Sequence, residues 1–426
     1  MTSATDIEGG GARFSQTDAE AGPAALEART KALGVQQALR WLAWAALVVF
    51  CVSLPLFEAP KNISLGVALV STLGYLAARR EAARWDAVCA LLLALTLTGA
   101  LSAALNQTPW PLALKNASDM ARILAAYWLV LNLVRSEGEA ATVAELLLAS
   151  AALALLWSLG TVQSLKFMSV ASLGWCNNVG MYYSQVAALG FSLSLIGGGP
   201  WWRRLWWGAA LGIAVAALSL ALCRSGIVAF VLFCGVALVG TKAWRQQTWW
   251  LMALALAAVA AMVAGEFKTM PEVAHLWLDT NSLAERWRIW QLAAKFFSEH
   301  PLLGIGPGNF KAAAEAALGA GVRDYYYLGN AHSLYLNTLA ERGIVGMILL
   351  AAFIIAAWRG LFAIRPTLTR APLPAALWWA GLGSLMIVVL IGVIDHPLHH
   401  EHALLMAALL ALPRALAAGV GSPHGQ

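Results

Sequence analysis

The chain has 426 residues, of which 60% are apolar and only 12% are charged, with 28 basic and 22 acidic side chains giving a formal charge of +6. Soluble domains carry roughly 25% charged residues, so this composition excludes soluble enzymes, secreted toxins and nucleic-acid-binding proteins. It predicts an all-α polytopic membrane protein whose apolar surface is solvated by the lipid bilayer.

The predicted elements begin after an N-terminal tail, 1–36, which is rich in Gly, Ala, Ser, Thr and Glu and lacks the basic start and apolar core of a signal peptide. This tail is predicted to be disordered and cytoplasmic. Nine membrane spans are predicted within 37–265 and three within 332–418, with a long connection of amphipathic helices at 266–331 and a short tail at 419–426. The twelve apolar stretches fall near 40–57, 62–78, 86–104, 118–134, 142–163, 181–198, 205–222, 226–241, 248–265, 335–358, 374–394 and 401–417.

The basic residues orient these spans, because cytoplasmic loops carry an excess of Lys and Arg. The short loops on one side hold only Lys61, Lys115 and Lys166. The pattern predicts that both termini are cytoplasmic and that the long connection and seven of the eight histidines face the other side. Sixteen of the 28 basic residues fall on the cytoplasmic side: Arg13, Arg29, Lys31, Arg40, Arg79, Arg80, Arg84, Arg135, Arg203, Arg204, Lys242, Arg245, Arg359, Arg365, Arg370 and Arg414.

Two common kinds of site are disfavoured by the motifs. The five cysteines are odd in number, scattered and without a C-x-x-C pair, so they are interpreted as small apolar packing residues rather than a disulfide or metal framework. The sequence contains no phosphate-binding loop and no dinucleotide fingerprint, which disfavours ATP-driven transport by this chain alone.

Arg224 lies where two predicted spans meet, between Cys223 and Ser225. One interpretation is an arginine that extends its charge to the interface at a tight turn. The other is a phosphate clamp, for which a planar and permanently charged guanidinium is better suited than an ammonium.

The long connection contains a second basic cluster, with Arg286 and Arg288 among tryptophans in a helical pattern over 281–299. The pattern is typical of an amphipathic helix on the membrane surface. It also suits a lipid-linked diphosphate, whose head requires cations and whose tail requires lipid. The helix is predicted to end at His300-Pro301, before a glycine-rich loop at 304–308 whose backbone can approach a ligand closely.

His332 stands at the predicted start of the tenth span, where a lone histidine is most often a cap or an interface residue. Glu341 follows nine residues later, about 13.5 Å along a continuous helix and on the opposite face. Glu341 is therefore a poor candidate to orient His332.

A dense histidine cluster lies between the last two spans, at His396, His399, His400 and His402, with Glu401 among them. No H-E-x-x-H motif is present, and the favoured interpretation is a solvated interfacial loop rather than a metal site. Asp395, the only acidic residue of its span, is predicted to pair with an arginine.

Several of these segments together resemble the O-antigen ligase/polymerase superfamily of bacterial inner-membrane enzymes. The most specific part is 300–310 (HPLLGIGPGNF), followed by His-Ser at 332–333 and by 339–346 (LAERGIVG). The element at 224–226 (RSG) resembles the Ser-Arg-Gly type of the family, although Cys223 stands where a hydroxyl residue is common. The segment 176–178 (CNN) resembles a degenerate Asn-Pro-Asn element.

The resemblance implies a metal-independent, cofactor-free inverting glycosyltransferase at the periplasmic face of a Gram-negative inner membrane. Its donor would be a glycan on undecaprenyl diphosphate, and its acceptor a sugar hydroxyl of lipid A-core oligosaccharide. His332 matches the proposed general base, and Arg224 and Arg288 match the arginines that engage the diphosphate, with Arg286 beside them. Further supporting candidates are Asn178, Tyr335, Arg122, Asp395 and Glu341.

The chemistry of these residue types agrees with that implication. An imidazole, with an ordinary pKa of about 6.5, can accept a proton from a sugar hydroxyl close to neutral pH. A diphosphate leaving group requires cations more than it requires an acid.

Two alternatives remain open. A polymerase that extends repeat units on undecaprenyl diphosphate shares the same motifs. A transporter is the alternative from another class, since twelve spans with both termini inside is a common transporter plan, but it predicts charges at the bilayer midplane and repeated halves.

Overall fold

The fold is described from a computed structural model for residues 23–106, 108–161, 171–174, 176–221, 223–241, 281–318 and 328–420. Apart from one short 3₁₀ turn at Ala171–Leu173, the regular structure in these residues is α-helical, which confirms the predicted fold class. The helices are α1 (Pro23–Ser53), α2 (Glu58–Arg79), α3 (Ala87–Leu105), α4 (Trp110–Leu133), α5 (Glu137–Thr161), α6 (Cys176–Ile196), α7 (Trp201–Leu220), α8 (Arg224–Thr241), α9 (Asn281–Glu299), α10 (Phe310–Leu318), α11 (Leu334–Leu368), α12 (Pro372–Ile391) and α13 (His400–Val420).

The helices coincide with eleven of the twelve predicted spans, and the stretch 248–265 lies outside the described residues. Within the described part of the chain, nine helices are long and apolar enough to cross a membrane; α4 and α7 are not among them. Helix α1 begins at Pro23. Residues 23–36 of the tail expected to be disordered are therefore helical.

The centre of the helical bundle is formed by α6, α12 and α13, which are the most completely enclosed of the long apolar helices. Outer helices leave large apolar side chains exposed, such as Trp41 on α1, Val70 on α2 and Ile348 on α11. Exposed apolar rows on helices of this length are the surface that a bilayer solvates.

One end of the bundle is tied by a polar cluster around Asp86, which caps the first turn of α3 by accepting from the Cys89 amide at 3.0 Å. The Tyr127 hydroxyl donates to the same carboxylate at 2.6 Å, and Arg414 forms an ion pair with it. Arg414 also donates to the Ala356 and Ala357 carbonyls at 3.1 Å. A cap, a tyrosine and an arginine thus join α3, α4, α11 and α13.

A smaller apolar cluster at the other end packs α9 and α10 against the start of α11. The buried face of α9 carries Ile289, Ala293 and Phe296, and the Phe296 ring meets the Phe310 ring edge-on at 5.5 Å between centroids. Ala331 belongs to the same cluster. This packing fixes the amphipathic helix 281–299 beside the segment that carries His332.

Helix α11 is broken at Gly343, where φ is +63° and ψ is −163°. At the break, backbone groups of α11 bond the segment 301–305 instead of their own helix. The Ile305 amide donates to the Ala340 carbonyl at 2.9 Å, and the Ile344 amide donates to the Pro301 carbonyl at 2.8 Å. Gly304 has φ +68° and lies against the α11 backbone. The motifs 300–310 and 339–346 are therefore one interlocked structural unit.

Candidate functional site

His332 occupies the residue before the N-cap of α11. Ser333 caps the helix by accepting from the Leu336 amide at 3.4 Å, and the Leu334 amide donates to the carbonyls of Gly392 and Asp395, both at 2.8 Å. The backbone of His332 itself is left-handed, with φ +46°, and its amide donates to the Asn330 side chain at 2.7 Å. A non-glycine residue persists in this region only when its surroundings fix it.

Asp395 is the acid that faces His332. Its Oδ1 lies 4.0 Å from His332 Nδ1 and accepts the backbone amide of His396 at 2.8 Å. The sequence predicted an arginine partner for Asp395, but the partner that the structure provides is this histidine. Helix α12 ends at Ile391, and the turn after it folds back onto the start of α11, which brings together two residues 63 positions apart in the sequence.

Glu341 does not face His332, as the helix geometry predicted. It is buried and accepts from the Gly308 amide at 2.9 Å, the Phe310 amide at 3.4 Å and the Asn337 side chain at 3.0 Å. Glu341 thus positions the glycine-rich loop.

Arg224 begins α8 and is exposed at the junction with α7. The preceding Cys223 is buried, its Sγ lies 3.9 Å from the Asn177 carbonyl oxygen, and a Cβ on Gly180 would overlap its side chain. Further along α6, the Gln185 side chain donates to the His402 carbonyl at 3.1 Å. The starts of α6 and α8 therefore meet at the end of the bundle that carries the turn 396–400, and Arg224 and the half-exposed Asn178 lie at the same end as His332.

The two arginines of α9 differ in placement. Arg286 lies one turn before Ile289 on the face that packs towards Ala331 and is half-buried, whereas Arg288 is exposed. The end of α9 is anchored near Gly343 through Pro301, so α9 runs back along the start of α11. At 1.5 Å per residue, Arg286 lies about 20 Å before the end of α9, and the start of α11 lies about 14 Å before Gly343. The basic residues of α9 therefore lie towards the end of α11 that carries His332.

Two supporting candidates have structural contacts of their own. Tyr335 donates through its hydroxyl to the Val389 carbonyl at 2.9 Å, which ties α11 to α12. Arg122 forms an ion pair with Asp119 and donates to the Asn62 side chain at 3.0 Å. Tyr335 is thus joined to α12, and Arg122 to α2.

The histidine cluster is only partly enclosed, since His402 is buried, His396 and His399 are partly exposed and His400 is exposed, as the predicted solvated loop would have it. His402 is 0% exposed in the first turn of α13, while the ring centroids of His396 and His399 are 5.0 Å apart and those of His399 and His400 are 4.2 Å apart. Burial lowers the pKa of His396 to about 3, with the charge of Arg342 as the next cause, and burial also lowers the pKa of His399 well below its ordinary value. Within the described ranges, no three His, Cys, Asp or Glu side chains are placed to hold a metal ion.

A buried ion pair beside this cluster was not predicted. Lys61 is 1% exposed and its Nζ contacts the carboxylate of Glu401, which is 2% exposed, as well as that of Glu58 at 2.6 Å. The Ser172 hydroxyl lies 3.5 Å from Glu401. The acid within a histidine run was the available signal, but nothing in the sequence linked it to a lysine 340 residues away.

The same end of the bundle contains a cavity of about 200 Å³ between α4, the start of α11 and the turn 396–400. Asn330 and Leu334, which flank His332 in the sequence, both line it. Lys115, Asp119 and Arg342 also line it, and sequence reasoning had assigned none of these three to a site. Arg342 is held in place because it donates to the Leu95 carbonyl at 2.7 Å.

The long apolar helices and the polar site at one end of them define a polytopic helical membrane protein. Residues 209–351 match a family model described as O-antigen ligase. This match confirms the predicted resemblance and supports membership of the O-antigen ligase superfamily, and hence an enzyme of O-antigen ligase or polymerase type in lipopolysaccharide biosynthesis. The matched residues include Arg224, Arg286, Arg288, His332 and Glu341 but not Asp395. No curated protein matches the chain.

Proposed function

We propose that the protein is an O-antigen ligase that transfers a glycan from undecaprenyl diphosphate to a sugar hydroxyl of lipid A-core oligosaccharide. The carrying observation is His332, fixed in left-handed backbone with Asp395 beside its Nδ1, within a chain segment that matches the O-antigen ligase family. The site would face the periplasm from a Gram-negative inner membrane, with both termini in the cytoplasm.

In the proposed reaction, His332 acts as the general base. With Asp395 on the Nδ1 side, Nε2 is the nitrogen that accepts the proton of the acceptor hydroxyl. The acceptor oxygen attacks the anomeric carbon while the bond from that carbon to the diphosphate oxygen breaks, and the electron pair leaves with the diphosphate. Because the displacement is direct, the configuration at the anomeric carbon inverts. Asp395 stabilises the imidazolium that forms.

The negative charge that develops on the diphosphate is stabilised by arginines in this scheme. Arg224 would approach the diphosphate from the start of α8, and Arg286 and Arg288 would approach it from α9. Fixed guanidinium groups can bind phosphate oxygens through two parallel hydrogen bonds. The scheme needs no metal ion and no cofactor, since the donor itself supplies the energy.

The test is transfer in vitro from a purified undecaprenyl-diphosphate glycan to lipid A-core. Because general base catalysis contributes roughly 10²–10⁴-fold, we expect His332→Ala to lose at least roughly 100-fold in rate. His300→Ala is the matched control, since His300 is exposed and follows the last turn of α9. Normal transfer by His332→Ala would refute the general-base role.

The polymerase is the second candidate, supported by the family match that it shares. Lipopolysaccharide from cells that lack the protein separates the two functions. Loss of a ligase leaves bare core, with polymer stranded on undecaprenyl diphosphate, whereas loss of a polymerase leaves core capped by a single repeat unit. Solute flux through the purified protein without any glycan transfer would favour the transporter instead.

A further inference from the structure

The cavity between α4, α11 and the turn 396–400 has a different electrostatic character from the arginine-rich region. Two basic side chains, Lys115 and Arg342, and two acidic ones, Asp119 and Glu341, line the cavity. Their formal charges cancel. A diphosphate carries at least two negative charges and is matched by cations, so this balanced lining favours a neutral ligand.

The hydrogen-bonding groups of the cavity suit hydroxyl groups. His396 and His399 line it, and desolvation lowers the pKa of both, which favours their neutral form. A neutral imidazole offers one donor and one acceptor. The Nδ1 of His399 is enclosed and has no hydrogen-bond partner within the described part of the chain. Asn330 adds an amide to the same lining.

The size of the cavity restricts the ligand to a small group. Pockets that take drug-sized ligands measure roughly 300–1,000 Å³, and this one measures about 200 Å³. A single sugar ring is the moiety of an oligosaccharide that such a space can enclose. The location agrees, because residues on both sides of His332 in the sequence line the cavity.

We propose that this cavity is the acceptor subsite and holds one neutral pyranose ring of the acceptor oligosaccharide, with a hydroxyl directed at His332. The proposal rests on the proposed transfer reaction and adds the position of the acceptor. The arginines of α8 and α9 then serve the donor, and His332 stands between a charged donor region and a neutral acceptor cavity.

Gly329 provides a direct test, because it lines the cavity, and a Cβ added to it would meet nothing within 4 Å. Gly329 is also exposed, so Gly329→Leu adds a bulky side chain at the mouth of the cavity, where an entering ring would meet it. We expect the KM for the acceptor to rise at least tenfold, while the KM for the donor changes less than twofold. The matched control is Gly138→Leu, since a Cβ on Gly138 in α5 also meets nothing within 4 Å and is far from the cavity.

An unchanged acceptor KM in Gly329→Leu would overturn the proposal, and so would a rise confined to the donor KM. Binding of a delipidated core oligosaccharide to purified His332→Ala protein, measured by calorimetry, tests the cavity separately from the reaction. We expect this binding to be retained in His332→Ala and lost when Gly329→Leu is added. Absence of binding to both proteins would overturn the acceptor subsite, whereas binding without any transfer by the wild type would contradict only the proposed reaction.

Discussion

At the residue scale, His332 could be predicted from the sequence, but the residue that contacts it could be found only from the fold. The motif around it and the start of a helical pattern indicate the residue itself. Its left-handed backbone and its contact with Asp395 depend on the turn after α12, which the chain reaches some 60 residues later. The periodicity of one segment cannot predict a contact with a distant segment, and the sequence analysis therefore predicted an arginine as the partner of Asp395.

Asp395→Asn is expected to lower kcat for transfer by roughly 10- to 100-fold, less than the full contribution of a general base. The amide keeps the shape of the side chain but cannot stabilise a positively charged imidazole. Donor and acceptor KM values should stay within about threefold, and Asp395→Glu should recover part of kcat, a rescue that a purely structural role would not give. Equal kcat in Asp395→Asn and wild type, in steady-state assays at several pH values, would exclude the positioning role.

At the scale of elements, the interlocked unit of α11 and the glycine-rich loop explains why the two motifs need their glycines. Gly343 ends the first segment of α11, and Gly304 lets the loop backbone reach it. The sequence correctly predicted the end of α9 and a loop of permissive backbone. It did not predict the break at Gly343, because apolar periodicity continues through that position.

Gly304→Ala is expected to lower the free energy of unfolding by more than about 2 kcal/mol, since φ there is +68° and a Cβ would lie 2.3 Å from the Glu341 carbonyl carbon. Thermal unfolding in detergent measures the change. Gly34→Ala in α1 is the control, because a Cβ there meets nothing within 4 Å. A melting temperature for Gly304→Ala equal to that of the control would contradict the close contact.

The buried pair of Lys61 and Glu401 joins α2 to the first turn of α13. Removing one partner of a buried pair leaves an uncompensated charge and costs about 3–5 kcal/mol, whereas replacing both by apolar residues is often neutral. We therefore expect Lys61→Met to be strongly destabilised and the double variant with Glu401→Leu to recover most of the wild-type melting temperature. If the single variant melts like the wild type, the two charges are not coupled in the folded protein.

At the scale of the whole molecule, the two ends of the bundle differ in chemistry. One end has the ion pair of Asp86 and Arg414, and the other has His332, Asp395 and the histidine cluster. Helix positions followed from composition and spacing, because a membrane span needs length and apolarity more than specific neighbours. The cavity and the buried ion pairs could not be predicted from the sequence, because each is formed by residues of helices that are far apart in the chain. Lys115 and Lys61 appeared only as scarce basic residues in short loops, yet one lines the cavity and the other is buried.

The predicted topology can be tested in intact cells by labelling single cysteines with a membrane-impermeant maleimide. Glu299→Cys, at the exposed end of α9, should react directly, and Arg370→Cys, in the exposed turn between α11 and α12, should react only after permeabilisation. Wild-type protein provides the background, since four of its five cysteines are buried. The opposite labelling pattern would reverse the assignment of the periplasmic face.

The length of α11 has a consequence for where the lipid-linked donor reacts. After the break at Gly343, the remaining 25 residues of α11 extend over about 37 Å, which already exceeds the hydrocarbon core of about 30 Å. The segment before Gly343, roughly 14 Å long, is therefore not needed for the crossing. We therefore expect His332 to stand at the depth of the lipid headgroups. An isoprenoid could then remain dissolved among the acyl chains throughout the reaction, so transfer would proceed without withdrawing the carrier from the bilayer.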